Sequence, residues 1–153
     1  MDKSLKISIL KSKYFSKKLE YYSRLMSINS IFEFNWNGKN KFKSISEKYI
    51  PEHIYGVYLF FNSKNECIYI GKAGTVLQNG NIKSQDICKR LNNKRKKKNS
   101  KKVYKEWYLK HGILTIKVID TWKIKKCPGF VEYDLLQSYF DEYKKLPEYN
   151  TCF

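Results

Sequence analysis

Two runs rich in β-branched and aromatic residues, Tyr55-Gly-Val-Tyr-Leu-Phe-Phe61 and Cys67-Ile-Tyr-Ile-Gly71, are separated only by Asn62-Ser-Lys-Asn-Glu66. A polar spacer of that length leaves room for a tight reversal and little else, so the two runs are expected to pair as an antiparallel hairpin. A symmetric loop would set Tyr58 directly opposite Tyr69, with both hydroxyls on one face of the sheet and able to approach a common point.

Tyr14, Phe15, Leu19, Tyr22 and Leu25/Met26 recur at helical spacing, and Ile31-Phe-Glu-Phe-Asn-Trp36 alternates as an edge strand ahead of a turn region over 35–43. After a polar stretch over 74–84, Asp86 is placed to cap a helix on which Ile87, Arg90 and Leu91 share a face, with Arg90 pointing inward or along the core edge. A second helix follows Ser100, with a stripe of Val103, Tyr104, Trp107, Tyr108 and His111, and stops at Gly112. The β-branched run Ile113–Trp122 reads as a central strand. Pro128 and Gly129 open a third helix with an inner stripe of Val131, Leu135/Leu136, Tyr139/Phe140 and Tyr143. The order is helix, strand, β, β, α, α, β, α. No internal repeat and no Gly-, Ser- or Pro-rich linker divides it.

Charge narrows the partner. With 31 Lys+Arg against 14 Asp+Glu, the formal net charge is +17, an excess that suits a polyanion. It is concentrated in the N-terminal third and in 84–111, where 11 basic side chains face 2 acidic ones. The run Lys89–Lys102 lies between apolar-patterned elements, a position that suits an interior rim facing phosphates as well as a solvated loop. Cys67, Cys88, Cys127 and Cys152 lie far apart, with no Cys-x-x-Cys pair and only two histidines, His53 and His111. Neither a zinc site nor a disulfide scaffold is supported, and four reduced thiols are expected. No window approaches eighteen apolar residues and the start lacks a secretory pattern, so the expectation is a soluble, cytoplasmic protein.

Taken in order, Gly56-Val57-Tyr58, Tyr69-Ile70-Gly71-Lys72-Ala73, Ile87-Cys88-Lys89-Arg90-Leu91, Glu132 on a helix and Pro147-Glu148-Tyr149-Asn150 resemble the motifs of the GIY-YIG nuclease superfamily. The match runs from about Tyr55 to Asn150. The resemblance implies an α+β, sandwich-like fold, with a small antiparallel or mixed sheet flanked by helices in the order ββααβα. It divides the chain into a basic extension over 1–54, for DNA grip or dimer contact, and a nuclease core over 55–153. It implies Tyr58 and Tyr69 as the active-site tyrosines, Lys72 as the basic residue after the second strand and Arg90 as the helix arginine. Glu132 becomes the metal-binding carboxylate and Asn150 the supporting terminal asparagine. Two intervals are longer than in the family's repair and intron-encoded members: Lys72 to Arg90, where 74–84 reads as an insertion, and Glu132 to Asn150.

The residue types suit phosphodiester hydrolysis, which needs an activated water, neutralisation of a phosphorane-like transition state and stabilisation of the departing oxygen. One carboxylate without an Asp cluster implies a single Mg²⁺ or Mn²⁺ ion, completed by water and phosphate oxygens. A tyrosine is a poor base in water, and the cations around the two tyrosines are what would favour a phenolate. Tyr58 is taken as the general base and Tyr69 as its partner, although both lie within reach of the same charges.

The resemblance further implies in-line cleavage of double-stranded DNA to 5′-phosphate and 3′-hydroxyl ends. Small stand-alone members are type II restriction endonucleases, which read a short site, and phage nucleases, which are weakly sequence-selective or structure-selective. The restriction reading is preferred and requires a homodimer, or a higher oligomer, to cut both strands. Asn92, Asn93, Arg95, Asn99 and the 74–84 loop are candidates for reading bases. Lys94, Lys96, Lys97, Lys98, Lys101 and Lys102 are candidates for gripping phosphates. A catalytically silent DNA-binding protein on the same scaffold is the competing reading from another class.

Overall fold

The computed structural model describes residues 14–25, 30–83, 85–93 and 99–152. In chain order the elements are α1 (Tyr14–Leu25), β1 (Ile31–Trp36), α2 (Phe42–Tyr49), β2 (Gly56–Phe61), β3 (Cys67–Ala73), β4 (Thr75–Val76), β5 (Ile82–Lys83), α3 (Ile87–Leu91), α4 (Ser100–His111), β6 (Leu114–Ile119), a 3₁₀ turn (Trp122–Ile124) and α5 (Pro128–Tyr143). The fold is mixed α+β.

Four strands form one sheet in the order β1-β6-β2-β3, and every pair is antiparallel. Helices cover both faces. Alternate residues of β2 separate the two cores, as the pleat requires. Val57, Leu59 and Phe61 pack with Ile70, Val131, Leu135 and Tyr139 towards α1 and α5. Tyr58 and Phe60 pack with Ile116, Val118, Ile87, Leu91, Tyr104 and Trp107 towards α2, α3 and α4. A strand with a helix layer on each side must be apolar at every position, and all six residues of β2 are buried.

The hairpin is present, but the expected register is not. The loop closes one residue wider than the pairing of Tyr58 with Tyr69 assumed, with Phe61 opposite Cys67 and not Glu66: Asn62 N–H donates to Glu66 O (2.9 Å), the Asn62 side chain accepts from the amides of Lys64 and Glu66, and Asn65 takes φ 61°. Ile68 is then an extra residue on β3, because Phe61 pairs with Cys67 while Phe60 pairs with Tyr69. The bulge moves the pairing along, so Tyr58 lies opposite Gly71 and not opposite Tyr69. The two tyrosines remain on one face as diagonal neighbours, with ring centroids 6.1 Å apart.

Other expectations need revising. The region 35–43 is not only a turn, since α2 begins at Phe42, and the 74–84 stretch holds the small antiparallel ribbon β4–β5. The strand expected over 113–122 spans only Leu114–Ile119 and gives way to the 3₁₀ turn. Phe140 and Tyr143 are exposed, which leaves Val131, Leu135, Leu136, Ser138 and Tyr139 as the inner stripe of α5. Met26 and Lys94, Arg95, Lys96, Lys97 and Lys98 fall outside the described residues. The segment ahead of Tyr55 supplies the edge strand β1, paired with β6 from Ile31↔Ile119 to Trp36↔Leu114, and the helix α1, which packs on α5. The α1–α5 contact is fixed by Phe15 against Tyr139, by a hydrogen bond from Tyr22 to Asp134 and by Lys18 at 3.5 Å from the same carboxylate.

Candidate active site

The first residue of β2, the last of β3, the last of β6 and the first of β1 lie side by side, because Gly56 pairs with Ala73 and Ile119 pairs with both Val57 and Ile31. The site is built at this end of the sheet. Two glycines make it possible. A Cβ on Gly56 would lie 2.0 Å from the Ile119 carbonyl oxygen and 2.7 Å from Thr121 N, so only glycine lets β2 start this close to the end of β6. A Cβ on Gly71 would lie 2.5 Å from Tyr58 Cζ and 2.6 Å from its hydroxyl oxygen. The Tyr58 ring therefore lies across the bare backbone of Gly71, and the glycines of both sequence triplets are explained by close approach.

Tyr58 is 2% exposed, whereas Tyr69 is partly open to solvent and is bordered by Phe60 and Trp107 at 6.3 and 5.5 Å. Lys72 is the next residue after Gly71 and its pleat turns it to the opposite face, towards α5. There its ammonium lies 3.6 Å from where a Cβ on Gly129 would sit, one helical turn before Glu132. Asp86 caps α3 by accepting from Lys89 N–H (2.9 Å), and it also accepts from the His53 amide (3.0 Å), which fixes the helix that carries Arg90. Ile87 and Leu91 are fully buried; Arg90 is exposed, not inward-facing.

Glu132 ties these elements together. Its half-buried position pushes the carboxyl above the usual carboxylate range, and the charges of Lys72 and Arg90 oppose that rise. Residues 72, 90 and 132, from a strand and two helices far apart in sequence, thus share one electrostatic environment. A half-buried carboxylate within the field of two cations can hold a divalent ion or meet a phosphate whose charge the cations balance. Among the described residues no group of three His, Cys, Asp or Glu could hold a metal ion. A single-carboxylate site with water and phosphate oxygens as the remaining ligands fits Mg²⁺, which keeps several waters.

Asn150 does not reach this cluster. Its amide grips the outer edge of β3, accepting from Ile70 N–H (3.0 Å) and donating to Ile70 O (2.9 Å), while Tyr149 N–H donates to Ile68 O (3.0 Å). The tail covers an otherwise open sheet edge and pins the strand residue between Tyr69 and Gly71. Tyr149 is held in turn by stacking on Trp107 (4.3 Å) and by His111, whose Nε2 lies 3.1 Å from the Tyr149 hydroxyl and 2.7 Å from Glu148.

Of the candidate DNA contacts, Asn92 is committed internally, donating to Ser46 Oγ (3.0 Å) and Cys88 O (2.8 Å) at the end of α3. Asn93 donates to Gln85, and Asn99 caps α4 through Lys101 N–H (2.9 Å). Lys101 and Lys102 are exposed on the first turn of α4. Sequence reasoning passed over Trp122, Lys123, Lys125, Lys126 and Phe130, which sit on the segment leading to Glu132. The signal in the sequence is lysines interleaved with aromatics, weaker than the longer basic run at 94–102.

Among the described residues no helix is long and apolar enough to cross a membrane. The chain matches no protein-family model, no curated protein and no solved structure.

Proposed function

We propose that the chain is a metal-dependent DNA endonuclease of the GIY-YIG type, hydrolysing phosphodiester bonds to 5′-phosphate and 3′-hydroxyl ends. The observation that carries this reading is the placement of Glu132 under the charges of both Lys72 and Arg90, at one end of the sheet on whose other face Tyr58 and Tyr69 are neighbours. The succession β2, β3, α3, α4, β6, α5 supports it, since it follows the ββααβα order once the short β4–β5 ribbon is taken as an insertion.

In this reading the tyrosine pair takes the proton from the attacking water as its oxygen bonds to phosphorus and the bond to the 3′-oxygen breaks. The Arg90 guanidinium and the Lys72 ammonium carry the charge that develops on the phosphoryl oxygens. Glu132 is the residue that would hold Mg²⁺ or Mn²⁺, which supplies further charge stabilisation and an electrostatic sink for the departing oxygen. Asn150 acts at one remove by fixing β3. With one such site per chain, cutting both strands of a palindromic site calls for a homodimer, the arrangement of a type II restriction enzyme.

Incubation with unmethylated phage DNA in Mg²⁺ or in EDTA tests this. Discrete fragments in Mg²⁺ alone, with ligatable 5′-phosphate ends, support a site-specific enzyme. A Mg²⁺-dependent smear moves the reading to a weakly selective nuclease. DNA that is shifted but uncut overturns the enzymatic reading in favour of a binding protein.

A further inference from the structure

The segment from Asp120 to Glu132 begins in a groove and ends in the candidate active site. Its first half helps line an open groove of about 800 Å³ with Phe32, Pro51, Ile54, Trp122, Lys123 and Lys125, within the usual size range of ligand sites. This groove lies at the same end of the sheet as Gly56, since the Trp122 amide donates to Tyr55 O (3.2 Å). The segment then folds back, Lys126 N–H donating to Thr121 O (3.0 Å), and enters the first turn of α5, where Phe130 is 57% exposed two residues before Glu132.

Two features distinguish this surface from an ordinary apolar patch. Each ring, the partly exposed Trp122 and the exposed Phe130, is paired with an ammonium: Lys125 lies 4.5 Å from the Trp122 ring centroid and Lys126 lies 5.7 Å from that of Phe130. The single carboxylate in the groove, Asp120, is buried, and its oxygens face the amides of Lys123, Trp122 and Tyr55, so it puts no open negative charge on the surface. Flat rings with adjoining cations match the two halves of a nucleotide, a base face and a phosphate. Stacked bases inside an intact duplex do not offer their faces to such rings, whereas unpaired ones do.

We propose that Trp122 and Phe130, with Lys123, Lys125 and Lys126, form a platform for unpaired nucleotides of a DNA strand leading to the phosphate at Glu132. This rests on the nuclease reading and, within it, favours the structure-selective alternative over the restriction enzyme, with DNA that is single-stranded or locally opened beside the cleavage point as the substrate.

Trp122 supplies a direct readout. The chain has three tryptophans, and Trp36 and Trp107 are 3% and 4% exposed, so quenching of tryptophan fluorescence by DNA reports on Trp122. Full-length protein is titrated in EDTA with a fluorescent single-stranded oligonucleotide, an intact duplex and the same duplex with an unpaired bubble. Tighter binding of the strand and the bubble, with tryptophan quenching, is expected. Phe130→Ala, a surface change, should weaken strand binding about 5- to 150-fold while leaving duplex binding nearly unchanged. Replacing Lys123, Lys125 and Lys126 by Gln should lower the salt slope for single strands by about 2. Equal affinity for all three DNAs, absence of quenching, or preference for RNA of the same sequence overturns the proposal. Mg²⁺-dependent cutting of intact duplex with no quenching would leave the nuclease reading standing without the platform. Quenching and Phe130-dependent binding without any cutting would do the reverse.

Discussion

Replacing Gly71 by alanine would put a methyl carbon 2.5 Å from Tyr58 Cζ, 2.6 Å from its hydroxyl oxygen and 2.7 Å from Cε2, where apolar contacts normally begin near 3.5 Å. Neither side can give way easily. The ring is buried between Phe60 and Tyr69, and β3 is held on its outer edge by Asn150 and Tyr149. Overpacking of this kind costs about 1–3 kcal/mol, offset by about 0.4–1 kcal/mol from the smaller entropy of the unfolded chain. The net loss is about 1–2 kcal/mol, or roughly 2–8 °C in Tm for a chain of this length. Because the penalty comes from one ring, it should vanish when that ring is removed. In a Tyr58→Ala background, which itself costs about 3–5 kcal/mol, Gly71→Ala should be neutral or slightly stabilising. Urea unfolding of the four proteins, followed by circular dichroism, gives the coupling, expected at about 1–3 kcal/mol. Gly71→Ala effects that agree within about 0.5 kcal/mol in the two backgrounds would refute the ring-over-glycine packing.

Further outcomes follow from the same geometry. Glu132 has a raised carboxyl pKa, so its contribution to stability is complete below the ordinary glutamate range and is lost as pH rises through the raised value; Glu132→Gln should therefore raise Tm at neutral pH, and the gain should vanish in acid, as read from melting curves across pH. Asn150→Ala would leave the N–H and C=O of Ile70 without their partners and should cost about 1–3 kcal/mol, with faster amide exchange at Ile70 as the local signature. Cys127 and Cys152 are exposed while Cys67 and Cys88 are buried with raised pKa, so a thiol reagent should titrate two equivalents rapidly and the other two only on unfolding.

Legibility in the sequence followed the strength of local patterning. The hairpin strands, the central place of β6, the edge place of β1, the Asp86 cap and the stop at Gly112 were all carried by periodicity and by residues with one preferred role. Helix α2 was not, because it has one clear turn of amphipathicity, a Lys41 N-cap without a side-chain bond and a buried Ser46 in its inner stripe. Its trace was the i, i+3, i+7 spacing of Phe42, Ile45 and Tyr49. The register of Tyr58 was also out of reach, since it depends on an αL residue at Asn65 and a bulge at Ile68, and neither changes the alternation that a reader counts. Lys72, Arg90 and Glu132 were recognisable as types at intervals. Their shared environment was not, because it comes from α3 and α5 packing on opposite faces of one sheet, with the charges of Lys72 and Arg90 both reaching Glu132.

The central claim is that Glu132, under Lys72 and Arg90, makes this chain a nuclease. Its most direct test is the single-turnover cleavage rate of plasmid DNA in Mg²⁺ by the wild-type chain and by Glu132→Gln, with both shown by melting curves to be folded. Cleavage by the wild type and a loss of about 10- to 100-fold or more in the variant are expected. Equal rates for the two folded proteins, or no cleavage by the wild type in Mg²⁺ or Mn²⁺, would contradict the claim.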